Sequence, residues 1–175
     1  MNTKWNIDPT HSEIGFKVKH MMFTNVSGKF DTYEGVFLTD GDNFENAEIS
    51  FSADTASINT GNTDRDNHLR SADFFDAANH PKLTFKSSSV VKKNDGEYEI
   101  SGDFTLHGVT QFIRLDAEFG GLMTDPWGNS KAAWNLSGKI NRKDFGLNWN
   151  AALETGGVLV SEEVRLFIEL QLIKA

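Results

Sequence analysis

The sequence predicts an all-β fold of about eight antiparallel strands closed into a barrel, and three observations carry that prediction. Apolar and polar residues alternate with period two along most of the chain, as they do in strands with one buried face. Tight-turn residues punctuate the alternation: Asn94-Asp95-Gly96, and the longer Asp125-Pro126-Trp127-Gly128-Asn129, each join antiparallel neighbours. So many strands with polar outer faces leave edges to be managed, and closure removes them; a sandwich is the alternative. A chain of 175 residues without repeats or a Pro/Gly/Ser-rich linker forms a single domain over 1–175.

Taken in order, Ile14, Phe16, Val18 and His20 share one face against Glu13, Lys17 and Lys19. Ala47, Ile49, Phe51 and Ala53 then alternate with Glu48, Ser50, Ser52 and Asp54, and Leu83 and Phe85 oppose Lys82 and Lys86. Tyr98, Ile100, Gly102, Phe104 and Leu106 form the next inward row. Ile113, Leu115, Ala117 and Phe119 follow, and then Ala132, Trp134, Leu136, Gly138 and Ile140. The last strand turns Val164, Leu166, Ile168, Leu170 and Leu172 one way, while Phe167 and Ile173 make its other face partly apolar. That second face predicts contact with a covering N-terminal segment or with the partner of a homodimer. One stretch breaks the period. Thr63-Asp64-Arg65-Asp66-Asn67-His68-Leu69-Arg70 has acids in its first turn and a base at its end, which predicts a short helix. With Leu69, Phe74 and Phe75 it reads as a lid or a plug at the barrel mouth, and Met22 and Phe23 read as a rim beside it.

Composition removes several function classes. Asp and Glu outnumber Lys and Arg by 25 to 17, a net charge of −8, so no nucleic-acid backbone or anionic surface is an expected partner. The absence of cysteine excludes disulfides, thiolate metal sites and cysteine nucleophiles. No apolar run reaches the length of a transmembrane helix. The first residues lack the apolar core of a signal peptide, so a cytoplasmic protein is expected, or a periplasmic one if a leader has been removed. The five histidines, at 11, 20, 68, 80 and 107, show no HExxH spacing, and no metal is expected. No serine stands in a Gly-x-Ser-x-Gly elbow, so no catalytic residue is assigned and the chain is expected not to be an enzyme. Asp40-Gly41-Asp42-Asn43 lacks the later Gly and Glu of a calcium loop and reads as a polar turn.

A barrel of about eight strands is either filled by side chains or just wide enough for one small ligand. Small inward residues, Ala47, Ala53, Ser87, Ser89, Gly102, Ala117, Ala132 and Gly138, either leave room for a ligand or merely fit the taper. His20 extends the first inward face and reads as a satisfied half-buried histidine or a contact for a ligand head group. Arg142 and Asp144, two apart, would share one strand face as an ion pair or polar anchor.

A series of blocks runs along nearly the whole chain, beginning with Trp5-Asn6-Ile7-Asp8-Pro9-Thr10-His11-Ser12-Glu13-Ile14-Gly15-Phe16-Lys17-Val18-Lys19-His20 and Gly28-Lys29-Phe30. Asn67-His68-Leu69-Arg70-Ser71-Ala72-Asp73-Phe74-Phe75-Asp76 and Pro81-Lys82-Leu83-Thr84-Phe85 form its middle. Leu106-His107-Gly108-Val109-Thr110, Asn141-Arg142-Lys143-Asp144-Phe145-Gly146-Leu147 and the strand from Val160 complete it. In the order and spacing of these blocks the chain resembles the YceI-like proteins, also called polyisoprenoid-binding proteins. The resemblance implies an extended, lipocalin-like eight-stranded barrel whose lumen holds a long isoprenoid chain, often in a homodimer. Many relatives are periplasmic, with a leader that this sequence lacks.

Burial of an apolar chain yields about 0.8 kcal/mol per CH₂, and inward faces without charge offer no other strong handle. The expected function is therefore non-enzymatic binding, storage or transport of a long-chain apolar lipid, an isoprenoid or a similar amphiphile; the resemblance implies a polyisoprenoid or isoprenoid quinone, with no cofactor beyond that ligand. The expected wall is Phe16, Val18, His20, Ile49, Phe51, Leu83, Phe85, Phe104, Leu106, Leu115, Trp134, Leu136, Leu166 and Ile168, to which the resemblance adds Phe30. The rivals are a ligand-free stress-response or interaction module with a packed barrel, and a hydrolase without a recognisable motif.

Overall fold

Eleven strands and one α-helix form where the alternation and its single interruption lie, in a computed structural model that describes residues 1–21, 24–150 and 160–175. The strands are β1 (Thr3–Ile7), β2 (Glu13–His20), β3 (Thr24–Phe30), β4 (Tyr33–Asp40), β5 (Asn43–Asp54), β6 (Ile58–Asn59), β7 (Lys82–Asn94), β8 (Glu97–Leu106), β9 (Val109–Thr124), β10 (Ser130–Asn141) and β11 (Val160–Lys174). The helix, α1 (Thr63–Arg70), lies between β6 and β7. Strands β1, β4, β5, β7, β8, β9, β10 and β11 pair in that order, and β11 returns to β1, so an eight-stranded antiparallel barrel closes.

Closure depends on the length of β11. Its C-terminal end pairs with β1, Leu172 opposite Ile7, while its earlier part pairs with β2, Ile168 opposite Ile14. β1 and β2 are thus two halves of one stave, interrupted by the turn Pro9–His11. Asp8 holds the break: its carboxylate accepts from the Thr10 backbone N–H at 3.0 Å and the Thr10 hydroxyl at 2.6 Å, with His11 Nδ1 at 2.8 Å. β3 follows β2, and β6 adds to β3 through Ile58 opposite Phe30. At 16 residues, β9 rises roughly 50 Å, so the barrel is tall.

One end is sealed by aromatic rings. Phe44 lies 5.2 Å from both Trp5 and Trp134, and Trp134 lies 4.9 Å from both Tyr98 and Phe119, centroid to centroid. Trp5 Nε1 donates to Thr39 Oγ1 at 2.9 Å, which satisfies the polar end of a fully buried ring. At the other end, α1 is too polar to be held by an apolar stripe. Asn62 caps it by accepting from the Arg65 N–H at 3.0 Å, buried Asp66 accepts from the Thr60 N–H at 2.9 Å, and Arg70 Nε donates to the Ala56 carbonyl at 2.8 Å.

Two sequence expectations are corrected here. Arg142 and Asp144 do not share a strand face, because Arg142–Phe145 is a 3-10 turn at the end of β10. The N-terminal segment does not cover the second face of β11; β1 and β2 pair along its edge instead. Phe167 on that face remains 44% exposed, with the Lys17 ammonium 4.9 Å from its ring centre, and Ile173 is half-buried opposite Asn6.

Candidate binding site in the barrel lumen

The inward rows meet around two apolar cavities of about 100 Å³ each. The first lies at mid-height, between Ile14, Phe30, Ile49, Phe51, Phe85, Leu115, Leu136 and Ile168, and among the described residues its wall carries no charged or polar side chain. The second lies towards α1, with Val18, Leu69, Phe74, Phe75, Leu106, Leu147, Val160 and Arg142 in its wall. Phe16, Phe30, Leu83, Phe104 and Leu166 border both, so the two are one lumen with a waist. Phe16 forms part of that waist. A Cβ on Gly28, its cross-strand neighbour, would stand 2.4 Å from Phe16 Cζ, so the glycine is what lets the ring lie across β3.

Thirteen of the fifteen residues expected in the wall border one cavity or the other. The exceptions are corrections. His20 is half-buried at the end of β2, opposite Thr24 and Val160, and borders neither cavity; the strand simply ends beyond the lumen. Trp134 is 2% exposed, but it belongs to the aromatic seal rather than the wall, and its Nε1 finds no nitrogen or oxygen partner among the described residues. Conversely, the wall includes Ile7, Phe37, Ile100, Ile113 and Leu170, beyond the residues expected from the sequence.

None of the eight small inward residues borders either cavity. Gly102 is small for its neighbour's sake, since a Cβ there would meet the Lys86 carbonyl oxygen at 2.2 Å; Ala117 faces Tyr98 and Leu136 in the ladders. Gly102 and Ala117 are thus small to fit their neighbours, and none of the eight supplies the cavity wall.

Of the expected lid, Leu69, Phe74 and Phe75 roof the second cavity, while Met22 and Phe23 lie outside the described residues. Phe75 meets Phe30 edge-on at 5.8 Å, and His68 stands edge-on to Trp149 at 4.7 Å and to Phe74 at 5.2 Å. Arg142 supports this roof from below. Its guanidinium donates to the carbonyls of Leu147 at 2.6 Å, Ser161 and Trp149 at 2.9 Å, and Val160 at 3.2 Å. Burial pushes its pKa down and Glu162 opposes the shift; guanidinium nonetheless stays charged in proteins. Asp144 is exposed and makes no ion pair with Arg142; its backbone carbonyl accepts from Gln111 Nε2 at 2.9 Å. The anchor is thus Arg142 on backbone oxygens, not a charge pair.

A family model described as the YceI-like domain matches residues 5–172. The chain belongs to the YceI-like family. A UPF0312 protein of Vibrio cholerae is 40% identical over 137 residues, 78% of this chain and 72% of that protein. The crystal structure of a Campylobacter jejuni YceI protein superposes with a TM-score of 0.76 at 34% identity, covering 95% of both chains. A polyisoprenoid binding domain from Saccharophagus degradans shares the fold, with a TM-score of 0.74 at 20% identity and 98% of each chain covered. Within this YceI-like barrel, three of the sequence blocks, Asn67–Asp76, Leu106–Thr110 and Asn141–Leu147, fall at the α1 end, where the second cavity is roofed.

Proposed function

We propose that the protein binds a long-chain isoprenoid lipid or isoprenoid quinone in its lumen, as a non-enzymatic carrier or store. The observation that supports this most directly is the apolar wall running from the aromatic seal to the roof, in which the one cation among the described residues, Arg142, is already engaged by carbonyls. Such a wall rewards chain length rather than head-group chemistry. The Saccharophagus domain, named for polyisoprenoid binding, supports the ligand class.

Cavities of about 100 Å³ are smaller than a usual ligand pocket of about 300–1,000 Å³. A long chain therefore enters only as the roof and the Phe16 waist give way. That same size favours the second reading, a packed barrel that serves as an interaction or stress-response module without ligand. Native mass spectrometry of protein purified from cells, followed by titration with a polyprenol, separates them. The carrier reading expects a co-purifying lipid or saturable uptake; a ligand-free mass together with no uptake removes it. Homodimerisation is proposed with this reading, supported by exposed Phe112 and Phe167, and is tested by sedimentation of the wild type against Phe167→Glu.

A further inference from the structure

The histidines at 80 and 107 are far apart in sequence, and the fold brings both beside Asp76. Each offers one donor atom, and these three atoms lie within 4.8 Å of one another. We propose that Asp76, His80 and His107 form a binding site for a divalent transition-metal ion of the zinc type, independent of the lipid.

The two parts of the cluster are positioned by different elements. Asp76 and His80 stand one helical turn apart in the segment after α1, where the His80 N–H donates to the Asp76 carbonyl at 2.8 Å. Asp76 has a left-handed backbone at φ 47°, and the turn leaves both side chains in the same cluster. His107 occupies the two-residue connection between β8 and β9, and the imidazole rings of His80 and His107 meet at 4.9 Å.

The surroundings have the features of a metal site's outer shell. A carbonyl can only accept, so the 3.2 Å contact between His107 Nδ1 and the Phe145 oxygen places the proton on Nδ1. Nε2 of the neutral ring is then left with its lone pair free, the arrangement in which protein imidazoles ligate metals. Asn79 Nδ2 likewise donates to Asp76 Oδ2 at 2.9 Å, which orients the carboxylate and leaves its other oxygen available. Gly108 provides the space: a Cβ there would lie 2.8 Å from His80 Cε1.

Backbone geometry points the same way. Both residues of the β8–β9 connection are left-handed, His107 at φ 55° and Gly108 at φ 73°. Asn-Gly is the commoner pair in such a turn, so Asn at 107 keeps the turn while removing the imidazole. Two imidazoles and a carboxylate form a nitrogen- and oxygen-rich set suited to zinc, iron or nickel, and they leave a coordination position open. Zinc holds such donors at about 2.0–2.2 Å, so closure onto an ion asks each side chain to shift by less than about 1 Å.

The test uses the whole protein, stripped with a chelator, titrated with Zn²⁺ by calorimetry and with Co²⁺ by absorption. One ion per chain should bind, and His107→Asn should weaken binding by roughly tenfold or more. That variant suits the turn, so its metal-free melting temperature should match the wild type. Asp76→Asn should act in the same direction, and His11→Asn, at the Asp8 turn, should leave binding unchanged. The absence of stoichiometric binding in the wild type overturns the site, as does wild-type affinity in both His107→Asn and Asp76→Asn.

Discussion

Gly28 and Phe16 show how one hydrogen atom can decide a lumen. A methyl group on Gly28 would collide with the Phe16 ring, which must then swing towards the waist between the two cavities. Gly28→Ala should therefore cost about 1–3 kcal/mol through overpacking and sharply reduce polyprenol uptake, whereas adding Phe16→Leu should restore both. Uptake by fluorescence titration and stability by denaturant unfolding check this, and unchanged uptake in folded Gly28→Ala would count against the waist. Arg142 is the second decisive residue. Replacement by Met leaves the carbonyls of Leu147, Trp149, Val160 and Ser161 without their donor. At about 1–3 kcal/mol for each buried acceptor left bare, with water reaching the half-buried ones, Arg142→Met should lose about 2–4 kcal/mol. Lysine, a point donor on a flexible stem, should recover little of it.

At the scale of elements, the roof and the broken stave behave differently. The roof contributes Leu69, Phe74 and Phe75 to the second cavity, and its segment, residues 60–81, adds no residue to the strand ladders. Its opening therefore breaks few backbone hydrogen bonds. The triple alanine variant at 69, 74 and 75 should speed lipid exchange more than it lowers barrel stability. Equal hydrogen-exchange protection of 62–75 and the β8 core, with unchanged lipid exchange in the variant, would make the element a fixed plug. The stave break depends instead on one carboxylate. Burial pushes the Asp8 carboxyl up, but hydrogen bonds from Thr10 and His11 outweigh it and hold the pKa below its usual value. The folded state thus binds fewer protons than the unfolded one just below about pH 4, and stability falls as pH drops through the unfolded and then the folded pKa. Asp8→Asn should flatten that acid limb while lowering stability at neutral pH, as read from denaturant midpoints between about pH 6 and about pH 3.

The molecule as a whole is a tall closed barrel sealed by rings at one end and roofed at the other. In the proposed carrier, a ligand entering under the roof would fill the second cavity, pass the waist and stop at the seal formed by Trp5, Phe44 and Trp134. Affinity should then rise with prenyl chain length by up to about 0.8 kcal/mol per buried CH₂ and level off once the lumen is filled. A competition series of polyprenols of increasing length measures this, and affinity independent of length would sink the lumen as the binding site.

The strands were legible in the amino-acid order, because burial on one face of a pleated strand leaves a period of two. Rows such as Ile49–Phe51 and Leu83–Phe85 accordingly read directly as wall. Turn chemistry fixed the hairpins at Gly96 and Asp125 for the same local reason. Whatever depends on height along the barrel had to come from the folded molecule. Trp134 and Leu136 alternate identically, yet one seals the end and the other faces the cavity; His20 continues an inward row past the point where the lumen stops. The same holds for what joins distant segments: Arg142 gathers carbonyls from both 147–149 and 160–161, and Asp76 and His80 meet His107 across the intervening strands β7 and β8. Periodicity reports which way a side chain faces, while register and closure, set by pairings along all of β11, determine what it meets there.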